Sequence, residues 1–174
     1  MSSIVNKLLF LSRIESGNET INFESIDLSE QLADLASNIE ALCEEKSLRF
    51  NTSLAGEVRV KGDQVKLREL FLNLLDNAIK FTPPGGSITL SLVKNKAQAV
   101  VSVSDSGIGI EEEHISHIFE RFYRIEKTSS SDNTGSGLGL LDSCTLIYPE
   151  EILLDSDIYH RVRIEAAGLD TSPE

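Results

Sequence analysis

The sequence has few cysteines, a shortage of positive charge and no long apolar run, and each shortage excludes a class of protein. Its two cysteines, Cys43 and Cys144, form neither a metal-ligand spacing nor a disulfide framework, which fits a reduced, cytoplasmic setting. The 16 Lys and Arg residues against 28 Asp and Glu residues give a formal charge of −12, which argues against general nucleic-acid binding. No apolar run reaches the roughly 18 residues of a membrane span, and no signal peptide is visible.

The 174 residues suffice for one ordinary domain with a short appendage. Apolar residues at helical spacing predict an amphipathic helix over residues 4–15, and the polar stretch 16–23 reads as a linker. We therefore divide the chain into a helical stub with its linker, residues 1–22, and a main domain, residues 23–174.

The main domain alternates between helical and strand periodicity. Asp27 and Glu30 have the spacing of a capping box and open a helix that runs to about Lys46. The predicted elements after it are strands Leu48–Leu54 and Val58–Val60, a helix over 63–81, a hairpin turning at Asn95-Lys96, a helix after a glycine turn, a loop over 127–139, a short helix, and closing strands Ile152–Asp155 and Arg161–Glu165. This order predicts an α+β two-layer sandwich, in which a mixed or antiparallel sheet of about five strands packs on about three helices.

The helix over 63–81 carries polar residues among apolar ones. Asn73, Asn77 and Lys80 fall on one stripe, with Glu69 one turn earlier and apolar residues on both sides, Leu72 among them. Asparagine amides can ligate Mg²⁺, and a lysine can contact phosphate as a point charge. On spacing alone, an amide network inside the core explains the stripe equally well.

Two glycine segments follow the hairpin strands. Asp105 ends a strand and is followed by Gly107 and Gly109, so it is either an acceptor for the exocyclic amine of adenine or a helix cap beside a turn. The segment GSGLGL, residues 135–140, precedes a helix and could bind phosphate. No Gly-Lys-Ser/Thr follows it, so it is not a P-loop.

The strings NLLDNAIKFTPPGG, DSGIGI, IFERFYR and GSGLGL occur in this order in one chain. Together they resemble the sensor histidine kinases of bacterial two-component systems, which share an ATPase superfamily with gyrase, the Hsp90-type chaperones and MutL. The SRIESG and DLSEQL segments resemble the end of the family's dimerisation helix and the entry to its ATP-binding domain. The resemblance implies a C-terminal catalytic domain that binds Mg-ATP and transfers the γ-phosphoryl group to a histidine in signal transduction.

The resemblance also implies a role for each motif residue. Asn77 would ligate Mg²⁺, with Asn73 beside it on metal or phosphate, and Lys80 and Arg124 would contact phosphates. Asn73, Lys80 and Arg124 are accordingly the implied catalytic residues.

In the base pocket, Asp105 would accept a hydrogen bond from the adenine amine and Phe81 would lie near the base or ribose. The other implied nucleotide-binding residues shape this pocket or close over the phosphates, and they are Gly107, Gly109, Ile110, Thr134, Gly135, Ser136, Gly137, Leu138, Gly139 and Leu140.

The sequence departs from the family in two places. No helix carries the family's phosphoacceptor histidine, and His114, His117 and His160 are each predicted to lie at the surface. The part after about residue 141 is shorter than in the family, with Pro149-Glu150 in place of a Gly-Gly turn. We therefore expect this chain to be either a fragment of a longer protein or a product that acts in trans. Its expected partners are a dimerisation and phosphoacceptor domain and, indirectly, a response regulator.

Two other functions are consistent with the same motifs. The chain could be a catalytically silent nucleotide-binding module that works through contacts with other proteins. It could also be a serine-directed kinase or hydrolytic ATPase of the same superfamily, although Asn73 stands where the hydrolysing relatives carry a glutamate base. We expect no membrane contact by this chain itself, and the membrane topology of a parent protein is left open.

Overall fold

A computed structural model describes residues 22, 24–95, 98–115, 117, 154–155 and 159–165. The elements in chain order are β1 (Glu24–Asp27), α1 (Leu28–Glu45), β2 (Arg49–Leu54), β3 (Arg59–Gly62), α2 (Gln64–Phe81), β4 (Ser87–Asn95), β5 (Gln98–Asp105), α3 (Glu112–Ile115), β6 (Leu154–Asp155) and β7 (Tyr159–Glu165). The two long helices, α1 and α2, are accompanied by strands that pair mostly antiparallel, which is typical of an α+β domain.

The main sheet has five strands in the order β2-β4-β5-β7-β6. The β2–β4 pair is parallel, and the other three pairs are antiparallel. Strands β1 and β3 form a separate antiparallel ribbon. The predicted fold class, an α+β sandwich with a mixed sheet, is confirmed.

The core lies between one face of the main sheet and the inner faces of α1 and α2. Strands β4 and β5 contribute alternate residues to it, because side chains in a strand point to opposite faces. The buried apolar residues of these four elements are Ile88, Leu90, Leu92, Ala99, Val101 and Val103 from the strands, Leu28, Leu32, Leu35, Ala36, Ile39 and Cys43 from α1, and Leu67, Leu70, Phe71, Leu74, Leu75, Ala78 and Ile79 from α2.

Helix α2 has a well-defined cap at each end. The Asp63 carboxylate accepts hydrogen bonds from the N–H groups of Val65 and Lys66, and it satisfies donors that lack partners within the helix. At the other end, the Thr82 hydroxyl donates to the Ala78 carbonyl at 2.6 Å. Pro83 then prevents another helical turn. The helix therefore ends one residue after Lys80.

Several local predictions are confirmed. Helix α1 begins after Asp27, whose side chain accepts from the Glu30 N–H at 3.1 Å. Strands β4 and β5 form the predicted hairpin, and β6 and β7 lie where closing strands were predicted.

The two short strands predicted over 48–54 and 58–60 are confirmed as β2 and β3. They belong to different sheets, since β2 pairs with β4 and β3 pairs with β1. The prediction for the segment before α1 is corrected. Strand β1 begins at Glu24, immediately after the predicted linker, where the sequence analysis placed only a helix cap.

The prediction for the outer face of α2 is also corrected. Leu72, expected to flank the polar stripe as a buried residue, is 36% exposed. Helix α2 therefore has an open outer face and is not enclosed on both sides.

Other predicted segments lie outside the described residues. These are the helix over 4–15, the loop over 127–139 and the short helix after it. The division of the chain at residue 22 stays a prediction.

Candidate functional site

The polar stripe of α2 lies where the buried face of the helix meets the exposed face. Asn73, Asn77 and Lys80 are each half-buried, whereas Asp76 is exposed and Ala78 is buried. At about 100° per residue, the stripe falls between these two neighbours. This position favours a site that faces a ligand over an amide network sealed inside the core.

The two asparagines differ in their protein contacts. Within the part of the chain that the structure describes, no group hydrogen-bonds to the Asn77 amide, whereas Asn73 has an interaction. A ligand that forms a hydrogen bond with this half-buried amide is bound more tightly because of that bond. Because amide oxygen is a ligand type that Mg²⁺ binds, Asn77 fits the predicted metal-ligating role.

Asp105 ends β5 opposite Ile88 and is held in one orientation by the turn that follows. Its Oδ1 atom accepts a hydrogen bond from the Gly107 N–H at 2.8 Å. The described residues offer no hydrogen bond to its Oδ2 atom. One carboxylate oxygen is therefore available to accept a hydrogen bond from an amine.

Glycine is required at position 107 because the Asp105 side chain and the Phe81 backbone lie very close to it. A methyl group placed on it would lie 2.5 Å from Asp105 Oδ1 and 2.6 Å from the Phe81 carbonyl oxygen. No side chain fits in that space. Gly109 has φ +71°, in the left-handed region that favours glycine. The two glycines of DSGIGI are thus favoured for different physical reasons, close packing at Gly107 and backbone conformation at Gly109.

The glycine turn is bonded directly to the end of α2. The Ile108 N–H donates to the Phe81 carbonyl oxygen at 3.3 Å. This bond and the close packing at Gly107 connect the helix that carries the asparagines with the turn that carries Asp105. The structure therefore brings together Phe81, Asp105 and Gly107, three of the predicted site residues.

Ser106 fixes the same turn to β4, and the sequence analysis did not single it out. Its hydroxyl oxygen accepts from the Ser87 N–H at 2.9 Å, and its own N–H donates to the Ser87 carbonyl at 2.9 Å. The available signal was a hydroxyl residue directly after the strand, where such side chains often bond to the backbone.

The end of α2 also borders an open cleft of about 770 Å³. The residues that line it come from the ends of both long helices and from the glycine turn, and they are Glu45, Lys46, Ser47, Ile79, Lys80, Phe81, Thr82, Pro83, Pro84 and Ile108. The cleft shares Lys80 and Phe81 with the predicted site, and Asn73, Asn77 and Asp105 do not line it. It is therefore adjacent to the predicted site and is not the whole of it.

Lys80 and Phe81 contact each other at this helix end. The Lys80 Nζ atom lies 5.6 Å from the centroid of the Phe81 ring, which is within the range of a cation–π interaction. Phe81 is an exposed residue, with 37% of its surface accessible.

The histidines after the glycine turn lie in two environments. His117 is exposed, as predicted, but the side chain of His114 is only 18% exposed, so its predicted surface position is wrong. The ligand atoms of Glu111, Glu113 and His114 lie within 4.8 Å of one another. Exposed carboxylates commonly approach this closely without an ion, and we assign no metal to them.

The other predicted site residues are Ile110, Arg124 and the segment Thr134 to Leu140. Ile110 is half-buried after the turn. Arg124 and the segment Thr134 to Leu140 lie outside the described residues, so their roles stay predictions.

Residues 62–152, more than half of the chain, match the family model described as histidine kinase-, DNA gyrase B- and HSP90-like ATPase. The chain therefore belongs to this family, and the resemblance to histidine kinase catalytic domains is confirmed.

Named relatives agree with this assignment, and a solved structure shares the fold. The phosphate regulon sensor protein PhoR of Pseudomonas aeruginosa is 31% identical over 97% of this chain and 36% of the relative. The sensor histidine kinase RppB of Synechocystis is 34% identical over 80% of this chain and 31% of the relative. The crystal structure of full-length ShkA in complex with AMPPNP matches with a TM-score of 0.74 at 23% identity, covering 94% of this chain and 35% of that one.

The chain spans about a third of the length of these curated relatives. In the part that the structure describes, no helix is long and apolar enough to cross a membrane.

Proposed function

We propose that this chain binds Mg-ATP between the polar stripe of α2 and the glycine turn after β5. As the catalytic domain of a sensor histidine kinase, it then transfers the γ-phosphoryl group to a histidine outside this chain. The observation that carries the proposal is the direct bond between the Phe81 carbonyl and the Ile108 N–H. It joins the helix of Asn77 to the turn of Asp105, so one ligand can contact both.

In this proposal, Asp105 recognises the base. Its Oδ1 atom is occupied by the Gly107 N–H, and its Oδ2 atom accepts a hydrogen bond from the exocyclic amine of adenine. Guanine presents a carbonyl oxygen at that position, which would face the carboxylate without a donor. Adenine nucleotides are therefore the preferred class.

Asn77 and Asn73 hold Mg²⁺, and Lys80 contacts the phosphates. The half-buried Asn77 amide, without a partner among the described residues, supports this assignment. When bound, Mg²⁺ neutralises part of the phosphate charge, which matters in a chain of formal charge −12. Arg124 and the segment Thr134 to Leu140 complete the phosphate site.

The acceptor histidine belongs to a separate dimerisation and phosphoacceptor domain. His114, His117 and His160 lack the acceptor context, and the relatives are about three times as long as this chain. The phosphoryl group passes from that domain to a response regulator. We place this chain in the cytoplasm, where ATP and response regulators are found.

Calorimetric titration with a non-hydrolysable ATP analogue, with and without Mg²⁺, is the first test. We expect one-to-one binding that needs Mg²⁺ and discriminates against the matching GTP analogue. Asp76→Asn, which changes an exposed acid on the same helix, is the matched control and should bind normally. Failure of the wild-type chain to bind would overturn the proposal.

The second step adds a phosphoacceptor domain from a related kinase and radiolabelled ATP. We expect an acid-labile phosphohistidine on the added domain and none on this chain alone. Binding without transfer would indicate a silent nucleotide-binding module, whereas phosphoserine or steady ATP hydrolysis would indicate another activity of the superfamily.

A further inference from the structure

We infer that Phe81 is a positioning residue for Lys80, and that its ring holds the lysine ammonium on the side of α2 where the phosphates bind. This inference rests on the proposed function and assigns the ring a role separate from contact with the base. The direct observation is the distance of 5.6 Å between Lys80 Nζ and the ring centroid.

The helical geometry gives the direction in which the ring pulls the ammonium. Lys80 lies about 60° from Asn77 toward the exposed side of α2, and Phe81 lies about 40° from Asn77 toward the buried side. Exposed Asp76 and buried Ala78 mark these two sides. An ammonium that leans from Lys80 onto the Phe81 ring therefore crosses the direction of Asn77.

The direction in which Lys80 leans along the axis of α2 also places its ammonium near Asn77. Helical side chains lean toward the N-terminus of their helix, so Lys80 leans toward the turn that carries Asn77. Without the ring, a flexible four-carbon stem at the edge of the helix would sample solvent. The ring restricts that sampling before any nucleotide arrives.

Phe81 is itself held in place. Its carbonyl oxygen accepts from the Ile108 N–H, and it lies against Gly107. Since these contacts are made by the backbone, Phe81→Leu keeps them and removes only the aromatic ring. Phe81 is 37% exposed as a whole residue, so leucine should be accommodated without a buried cavity.

The test compares ATP, ADP, AMP and adenosine by calorimetry in the presence of Mg²⁺. The quantity measured is the ratio of the adenosine Kd to the ATP Kd, which isolates the phosphate contribution. We expect Phe81→Leu to lower this ratio by about two- to fivefold, the range of an exposed cation–π contact. Phe81→Tyr, which keeps an aromatic face, should have the same ratio as the wild type. In the Lys80→Met background, Phe81→Leu should leave the ratio unchanged.

Three results would overturn the inference while leaving the proposed function intact. Phe81→Leu could weaken adenosine and ATP by the same factor, which would place the ring on the base. It could strengthen ATP binding, which would mean that the ring holds the Lys80 ammonium away from the phosphates. Its effect could also persist in the Lys80→Met background. If the wild-type chain binds none of the four ligands, the proposed function fails first and the role in phosphate binding fails with it.

An NMR measurement without nucleotide tests whether the Lys80 ammonium lies over the Phe81 ring. The ε-methylene protons of Lys80 should show an upfield ring-current shift in the NMR spectrum of the full chain. Phe81→Leu should abolish this shift and Phe81→Tyr should retain it. Absence of the shift from the wild-type spectrum would contradict the inference.

Discussion

At the scale of single residues, the site depends on polar groups whose bonds to the protein are incomplete. One carboxylate oxygen of Asp105 accepts a hydrogen bond from the Gly107 N–H, and the Asn77 side chain has no hydrogen-bond partner among the described residues. Buried polar groups normally find hydrogen-bond partners in the protein or in ordered water, whereas half-buried groups can keep bonding capacity that faces solvent. Groups left with spare bonding capacity at the edge of a helix and at the end of a strand are therefore suited to bind a ligand.

Asn77→Ala removes the amide that we assign to Mg²⁺. We expect the affinity for Mg-ATP to fall by about 1–3 kcal/mol, the scale of a hydrogen bond or ligand contact to a charged group. Calorimetry measures this change, and Asn38→Ala on the exposed face of α1 is the control for loss of an asparagine. An unchanged Mg-ATP affinity would remove Asn77 from the metal site.

Asp105→Asn tests base recognition. An amide can present a donor where the carboxylate presents only an acceptor, so the preference for adenine over guanine should fall by about tenfold or more. Competition between ATP and GTP analogues measures the preference. If selectivity is the same in the variant and the wild type, Asp105 does not contact the base.

At the scale of elements, the site depends on how closely the glycine turn packs on the end of α2. The Ile108 N–H and the Ser106 hydroxyl tie the turn to α2 and to β4, respectively. Asp105 is thus connected to two separate elements through its neighbours. A shift of this turn should change base recognition and stability together.

Gly107→Ala forces such a shift. The added methyl group would lie 2.5 Å from Asp105 Oδ1 and 2.6 Å from the Phe81 carbonyl oxygen, so the turn must move. We expect the free energy of unfolding to fall by about 1–3 kcal/mol, as for other overpacked sites, and nucleotide affinity to fall as well. Urea unfolding and calorimetry measure the two effects.

Gly56→Ala is the matched control, because nothing lies within 4 Å of the methyl group that it adds. Its free energy of unfolding should stay within about 0.5 kcal/mol of the wild type. If Gly107→Ala behaved in the same way, the close packing of turn and helix would be wrong.

At the scale of the whole molecule, one core holds both parts of the site. Helices α1 and α2 bury their inner faces against β4 and β5, and α2 and β5 are the elements that carry Asn77 and Asp105. Cys43 on α1 lies fully inside this core. Its thiol therefore reports on the integrity of the fold that positions the site.

Burial raises the pKa of the Cys43 thiol, and the charge of Lys46 offsets a smaller part of this shift. In a Cys144→Ser chain, the alkylation rate of Cys43 should equal the rate of a free thiol multiplied by the fraction of molecules that are open. Mass spectrometry measures the rate, and urea should restore the rate of a free thiol. Rapid alkylation of the folded chain would contradict the core position of Cys43.

The same shift predicts how stability depends on pH. Because the folded pKa lies above the ordinary value of 9.0, the unfolded chain releases this proton first as pH rises. The contribution of Cys43 to stability is therefore complete below pH 9.0 and is lost as the pH rises through the folded pKa. Urea midpoints of the wild type should fall in that range by more than those of Cys43→Ala.

Sequence and tertiary structure contributed different parts of this description. Local sequence determined α1, α2 and the β4–β5 hairpin, because helical and strand periodicity and the caps at Asp27 and Asp63 act within a few residues. It also placed Asn73, Asn77 and Lys80 on one stripe and identified Asp105 with its glycines. Only the tertiary structure decided that β2 pairs in parallel with β4, that Ser106 bonds to Ser87, and that the Phe81 carbonyl accepts from the Ile108 N–H. These bonds join groups far apart in the chain, and a local stretch of sequence does not specify which distant backbone group its donors and acceptors will meet.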